Sequence, residues 1–456
     1  MCGIVGVYTK RFFSDKLENA LALLRHRGPD DNGRQIYQFN ESYLAIAQTR
    51  LSIIDLSEKG HQPMISHDKS KVIVFNGEIY NYQELRSELH SKGRIFTSNT
   101  DTEVLLHAWD EWGADSIDRF VGMFSFAIFD ITSKKLTLVR DAFGIKPLFY
   151  YLSEDEIMFA SELPALLCLL QKGQQLNYHQ ILNYLLWNKY DNSSETFYEN
   201  IHQLEPGHLL SIDIETYSKA HYFPKSIRWW QPSIRVNTNI TFEDAAYHLR
   251  ELFLKTLRLH MRSDVPLAAA LSGGLDSSAI VCGMRYLEPE LELHTFSYIP
   301  NEKNVSEEKW IDLVNSHVHA IPHKVFIGCN DLSNDLDDLV RCQGEPFMST
   351  SIYAQYRVFK EASKFGIKVM LDGQGADELL AGYDGYPRSR LLSLFSDFKF
   401  LASIKFIRNW SKWPNRSAVK AILLYFDALL PNKLKKFLYS SYHPGVKSEW
   451  IDFELT

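Results

Sequence analysis

Up to about residue 222 the apolar positions fall in short runs of β-branched and aromatic character: GIVGVY, YLAIAQ, KVIVFNG, GMFSFAIFD, KLTLVRD, PLFYYL and EIMFAS. Each run is bounded by Gly, Asp, Asn or Ser, the signature of strands separated by turns. Helical spacing interrupts them only at 16–25, 82–92 and 102–112, so residues 2–222 are predicted to form an α+β domain of stacked sheets. The segment YFPKSIRWWQPSIRVNT then carries two prolines and no periodicity, which predicts a linker over 223–239.

From 240 to 456 the pattern changes. A helix over 242–261 precedes a strand at 265–271, a Gly-rich turn, a helix at 277–286 and a strand at 294–299. A second unit repeats this order, with a helix at 352–365, a strand at 368–371, another Gly-rich turn and a further helix start. Strands alternating with helices predict an α/β doubly wound parallel sheet with ligands at the carboxyl ends of its strands. The last sixty or so residues are helical in pattern and rich in Phe, Trp, Lys and Arg, densest in KFLASIKFIRNWSKW. Packed helices with a solvated face explain this, and a peripheral membrane or partner contact is the alternative.

Composition narrows the class. With 456 residues, 45% apolar and 23% charged, the chain has enough material for two cored domains. The net charge of −7 gives no general pull toward nucleic acid or an anionic membrane, which leaves small-molecule chemistry. Five cysteines without a C-x-x-C pair fit a reducing compartment. The start MCGIVGVYTK has no basic n-region followed by a long apolar stretch, and the greasy run AILLYFDALL is too short to span a bilayer, so a cytoplasmic location is expected.

Three constellations can carry chemistry. If Met1 is removed, Cys2 is a thiol whose own α-amine can serve as its base. Arg50, Asn76, Gly77, Glu78 and Asp101 lie at strand ends or turns and together suit a free amino acid. A guanidinium pairs with an α-carboxylate, two carboxylates flank an α-ammonium, and an Asn amide with a Gly N–H can hold an oxyanion. Taken singly they also have ordinary readings: Asn76-Gly77 as a hairpin turn, Arg50 and Glu78 as a surface pair, Asp101 as a helix N-cap. The second constellation, LSGGLDSS, places Ser272, Gly273, Gly274, Asp276, Ser277 and Ser278 between a strand and a helix. Glycines and hydroxyls there suit phosphate oxygens, Asp276 can hold Mg²⁺, and no Lys follows as in a Walker A loop. The third, LDGQGADELLAGY, offers Asp377 and Glu378 behind the spaced glycines Gly373 and Gly375.

In this combination and order the residues resemble the asparagine synthetase family over almost the whole chain. MCGIVG, RHRGPDD, RLSIID, FNGEIYN and DTE are similar to a class II glutamine amidotransferase domain of the N-terminal-nucleophile sandwich fold. LSGGLDSS and DGQGADELLAGY are similar to the loops of the family's ATP-pyrophosphatase domain. The resemblance implies Cys2 as nucleophile, Asn76 and Gly77 as oxyanion hole, and Arg50, Ile53, Ile54, Asn76, Glu78 and Asp101 as glutamine ligands. It implies Leu271, Ser272 to Ser278, Tyr298, Asp372 and Gly373 around ATP, Asp276 and Asp377 on Mg²⁺, and Gln374 at the acyl-adenylate step. Glutamine, aspartate and ATP would be the small-molecule substrates, with no nucleic acid or membrane partner and a homodimer as the expected assembly.

Three departures shape the alternatives. Gln374 stands where the best-known aspartate-using members carry a glutamate, and EPFMSTSIYAQ (345–355) differs from their aspartate-pocket stretch. The chain also stops short of the family's usual length, which predicts a shortened second domain. Amidation of another carboxylate, or a paralogue keeping only glutaminase and nucleotide binding, are the competing readings.

Overall fold

The computed structural model describes residues 1–429 except 12, 171–172, 221–222, 236–238, 303–305, 384 and 414–415. Two compact units divide the chain, Met1–Asp372 and one beginning at Gly373.

The first unit opens with two six-stranded sheets. Their strands are β1 (Gly3–Thr9), β2 (Asp31–Phe39), β3 (Ser42–Arg50), β4 (Met64–Ile65), β5 (Lys71–Ile79), β6 (Gly122–Asp130), β7 (Lys135–Arg140), β8 (Phe149–Leu152), β9 (Ile157–Ala160), β10 (Ile201–Gln203), β11 (His208–Asp213) and β12 (Ile227–Arg228). The strand orders are β10-β8-β9-β1-β3-β2 and β12-β11-β7-β6-β5-β4, antiparallel throughout. Alternation along each strand sorts the side chains into layers. Ile4, Leu44, Ile46 and Phe159 of one sheet meet Val72, Val74, Phe129 and Leu138 of the other in a shared core. On the outer faces, Val5, Val7 and Ala45 pack with the helices Ser14–Leu24 and Leu163–Leu169, while Phe75, Phe126 and Ile128 pack with Tyr82–Ser91 and Asp101–Trp112. The result is a four-layer sandwich, in which burying a side chain such as Phe159 contributes about 1.5–3 kcal/mol. Strand β12 lies within the segment read as a linker, and Trp229 Nε1 donates to Arg140 O at 3.2 Å, tying that segment to the second sheet.

A four-stranded, all-parallel sheet follows: β13 (Leu267–Ala270), β14 (His294–Tyr298), β15 (Ile321–Val325) and β16 (Val369–Leu371), ordered β15-β14-β13-β16. The helices Phe242–His260, Leu275–Leu287 and Glu308–Val318 share the core of Leu267, Ala269 and Leu271 on one face; Thr350–Lys364 covers Ala268 and Phe296 on the other. Strand order reverses between β13 and β16, so the loops after these two strands flank the switch point at which such sheets bind ligands. The structure adds a helix, Asp331–Gln343, a strand, β15, and the helix Glu308–Val318 to the elements the pattern predicts here.

The second unit is helical among its described residues: Ala376–Leu380 is followed by Gly385–Ser396, Phe400–Trp410 and Ala418–Leu429, which share a core of Leu391, Trp410 and Ala421. All five cysteines are free thiols. No helix among the described residues is long and apolar enough to cross a membrane.

Candidate active sites

Cys2 directly precedes β1, and its Sγ lies 3.8 Å from Leu51 O. Its carbonyl accepts from Arg27 Nε at 2.9 Å, and Arg27 Nη1 is paired with Glu162 at 2.6 Å, so the main chain at the thiol is fixed by a buried guanidinium. Burial pushes the thiol pKa up. Burial also lowers the terminal amine, here that of Met1, to about 5, with Arg27 and Lys146 adding to the effect. The Met1 amine is therefore neutral at pH 7.

Asn76, Gly77 and Glu78 lie mid-strand in β5, opposite Ser125, Phe124 and Met123 of β6. The hairpin-turn reading of Asn76-Gly77 therefore does not hold. Gly77 is required by the close strand approach, since a Cβ there would meet Met123 O at 2.2 Å. Asn76 is fully buried; its Nδ2 donates to Ser125 Oγ at 3.4 Å, while its Oδ1 has no partner. Flipping the amide would leave the NH₂ unpaired instead, so in either orientation one end is buried and free for a ligand.

Glu78 and Asp101 are 4% and 6% exposed, which overturns the surface reading of Glu78. Burial raises both carboxyls, Asp101 to about 6, and the nearby Asp101 charge raises Glu78 further. Asp101 Oδ2 accepts the Ile79 N–H at 2.9 Å. The N-cap role considered for Asp101 belongs to Thr100, whose hydroxyl accepts the Glu103 N–H at 3.1 Å. Arg50 ends β3, also buried, and is committed to the loop that follows: Nη1 donates to Ser57 O at 3.0 Å, and Nη2 to Ile54 O and Asp55 O at 3.3 and 2.5 Å. These bonds leave guanidinium donors for a ligand. Ile53 is half-buried and Ile54 buried in the same loop.

Lys146 was missed by the sequence reasoning because lysines are rarely buried. It is 4% exposed, in a turn organised by Asp141, whose carboxylate accepts the N–H groups of Phe124, Phe143, Ile145 and Lys146 at 3.0–3.2 Å. Burial pushes its ammonium pKa down; the Glu78 charge opposes this, and Arg27 and Cys2 are also within electrostatic reach. The signal was the Asp141-to-Lys146 turn at the end of a predicted strand.

At the parallel sheet, Leu271 N–H donates to Phe296 O at 3.0 Å and holds the start of the Gly-rich loop. Gly273 has φ +86°, a left-handed conformation that suits glycine. Gly274 is the N-cap of the helix Leu275–Leu287. Ser272 and Ser277 hydroxyls bond each other at 2.9 Å, and the Ser272 and Gly274 N–H groups donate to Ser277 Oγ and Ser272 Oγ, both at 3.2 Å. Asp276 and Ser278 are half-buried in the first helical turn, and the Asp276 carboxylate has no hydrogen bond or ion pair among the described residues. Tyr298 ends β14, and Asp372, after β16, accepts from Gln355 Nε2 at 2.9 Å. In the second unit Gly373 is half-buried, Gln374 exposed and Asp377 in the first turn of Ala376–Leu380; Tyr383 OH donates to Glu378 at 2.9 Å. Among the described residues no three His, Cys, Asp or Glu gather around a metal position. Asp276, with no partner of its own among those residues, fits Mg²⁺, which binds through one or two carboxylates plus substrate phosphates.

The chain matches the glutamine amidotransferase domain family over residues 1–223 and the asparagine synthase family over residues 248–436, so an amidotransferase precedes a nucleotide-dependent synthase domain. More particularly, the chain belongs to the glutamine-hydrolysing asparagine synthetase family. It is 33% identical, over 84% of its length, to a provisionally named asparagine synthetase (glutamine-hydrolyzing) 2 of Methanocaldococcus jannaschii, and covers 76% of that protein. Against asparagine synthetases (glutamine-hydrolyzing) 1 and 2 of Bacillus subtilis it is 32% and 33% identical over 95% and 84% of this chain, covering 64% and 52% of theirs.

Proposed function

We propose that this protein is a glutamine-dependent asparagine synthetase, a carbon–nitrogen ligase that hydrolyses glutamine to glutamate and ammonia and uses the ammonia to amidate aspartate at the expense of ATP. The observation that carries the reading is the cluster that Cys2 forms with the buried Arg50, Glu78, Asp101 and Lys146, each within electrostatic reach of another member, which suits a zwitterionic amino acid beside a nucleophile.

On this reading, removal of Met1 makes the Cys2 amine the base. The Cys2 thiol gives it a proton, and sulfur attacks the side-chain carbonyl carbon of glutamine. The resulting oxyanion rests on the Asn76 amide and the Gly77 N–H. Collapse breaks the C–N bond, the amine returns its proton to the departing nitrogen as ammonia, and water then releases glutamate from the thioester. Remaining Arg50 donors and the main chain at Ile53 and Ile54 receive the α-carboxylate, while Glu78 and Asp101 receive the α-ammonium. Lys146 limits the repulsion between those two carboxylates before substrate arrives.

At the second site, Leu271, Tyr298, Asp372 and Gly373 contact ATP, and the hydroxyls and N–H groups from Ser272 to Ser278 take its phosphates. Asp276 would hold Mg²⁺, which would supply neutralisation of phosphate charge, and Asp377 is the second carboxylate that the family resemblance implies for it. The aspartate β-carboxylate attacks the α-phosphorus and expels pyrophosphate; ammonia displaces AMP from β-aspartyl-AMP, with Gln374 near that step. We place the protein in the cytoplasm as a homodimer, with domains 2–222 and 240–456 joined by 223–239.

The test is pyrophosphate release with ATP, Mg²⁺ and L-aspartate, supplying glutamine or ammonium and weighing the product by mass spectrometry. Asparagine from both nitrogen sources is the expected result. Glutamine hydrolysis without aspartate-dependent pyrophosphate would overturn the assigned acceptor.

A further inference from the structure

The loop that follows Arg50 is gripped from outside the amidotransferase fold. Asp264, just ahead of β13, accepts the Asp55 N–H on Oδ2 at 2.8 Å and gives its own N–H to Ile53 O at 3.0 Å, a reciprocal clip. Lys368, the residue before β16, reaches Asp30 at 2.7 Å and Ser52 O at 3.5 Å. Asp30 in turn accepts the Ser52 N–H at 2.7 Å and donates its own N–H to Arg50 O at 3.0 Å. Ser52, Ile53 and Asp55 are thus all held by these groups, while Arg50 grips the same loop from within. The loop is not a conformation the chain adopts at no cost, because Asp55 has φ +56°. A third contact secures the neighbouring substrate segment: Arg262 donates to Tyr80 O at 2.7 Å and bidentately to Glu84 at 2.6 Å.

We propose that Asp264 and Lys368 are positioning residues for glutamine, contributed by the parallel-sheet domain. They hold the 51–57 loop, and through it Arg50, in the shape that receives the α-carboxylate, so the amidotransferase site is complete only with the second domain docked. This rests on the glutamine site assigned above. The placement gives the two reactions a shared frame, because β13 and β16 pair in register and their far ends run into the Leu271-to-Ser278 loop and Asp372.

The experiment is steady-state glutamine hydrolysis by the full chain with Asp264→Ala, Asp264→Asn, Lys368→Met and Cys2→Ala. Asp264→Ala should raise KM for glutamine about tenfold with kcat within about twofold, since the thiol is untouched and one charge-assisted hydrogen bond to the loop is lost. Asp264→Asn keeps an oxygen for the Asp55 N–H and should restore KM to within about threefold. Lys368→Met should raise KM about fivefold, and it supplies the answer if Asp264→Ala does not fold. A Cys2-dependent glutaminase whose KM is unchanged in the variants, or in which kcat alone falls without rescue by Asn, overturns this inference and leaves the site assignment intact. A chain that hydrolyses no glutamine, or does so without Cys2, overturns both.

Discussion

The two candidate sites treat their polar groups in opposite ways. Around Cys2, Asn76, Glu78, Asp101 and Lys146 are each less than a tenth exposed, and burial displaces the pKa of Cys2, Glu78, Asp101 and Lys146. Around the parallel sheet, Ser272 is exposed, Asp276 half-buried, and the loop serines bond each other. The first site is organised before substrate arrives and strains the fold by holding charge out of water. The second sits beside the switch point of the parallel sheet, with groups left open for a ligand to complete. If this contrast is right, damage to the first should be severe and confined to glutamine, and damage to the second should spare it.

The sharpest separation comes from Cys2→Ala. Glutamine-dependent amidation should fall by at least about 10³-fold, because no other group can form the thioester, while ammonium-dependent synthesis persists. Loss of both activities in a folded variant would break the division of labour. The converse substitution, Asp276→Asn, should lower ammonium-driven pyrophosphate release by about 10²-fold by removing a hard oxygen ligand, with glutaminase unchanged. Equal loss of the two rates would place Asp276 in a structural role.

Asp101 tests the strain directly. Its carboxyl is raised from 3.8 to about 6 by burial, so below about pH 4 it is protonated whether or not the chain is folded and affects stability little. Between about pH 4 and 6 the unfolded chain releases a proton that the folded one keeps, so stability falls as pH rises, and the full penalty stands above that window. Asp101→Asn keeps an acceptor for the Ile79 N–H and removes the charge. The variant should be more stable at pH 7.5, on the order of 2 kcal/mol, and no more stable at pH 4, as denaturant melts at the two pH values would read. It should also bind glutamine poorly, and the wild-type fall in kcat/KM as pH drops through about 6 should vanish in it.

What could be read without coordinates follows from how local each cause is. Every one of the seven apolar runs forms a strand, because alternation against two buried faces leaves few other solutions. Strand β2 escapes the same reading: Asp31–Phe39 alternates between half-buried and exposed, and DNGRQIYQF holds too few apolar residues to announce an edge strand. The glutamine-side residues were named because their motifs are contiguous, yet their ordinary readings failed where pairing was non-local, as when Asn76 and Gly77 became the middle of β5 rather than a turn. Lys146, Asp264 and Lys368 act through partners far away in sequence, Glu78, Asp55 and Asp30, and no local pattern marks a lysine as buried or an aspartate as a clip.

The smallest effect asks whether the phosphate loop is preformed at all. Ser277 is 5% exposed, its hydroxyl bonds Ser272 Oγ at 2.9 Å and accepts the Ser272 N–H at 3.2 Å, and the turn it closes contains Gly273 at φ +86°. Ser277→Ala removes this closure and should lower stability by about 1 kcal/mol, or about 2–4 °C in Tm, while raising KM for ATP roughly threefold. Both shifts together would mean that the hydroxyl shapes the loop before nucleotide arrives, so even the open site is partly organised in advance. A rise in KM with no loss of stability would mean instead that the Ser277 hydroxyl exchanges Ser272 for a phosphate oxygen, and the contrast between a prepared site and a ligand-completed one would widen.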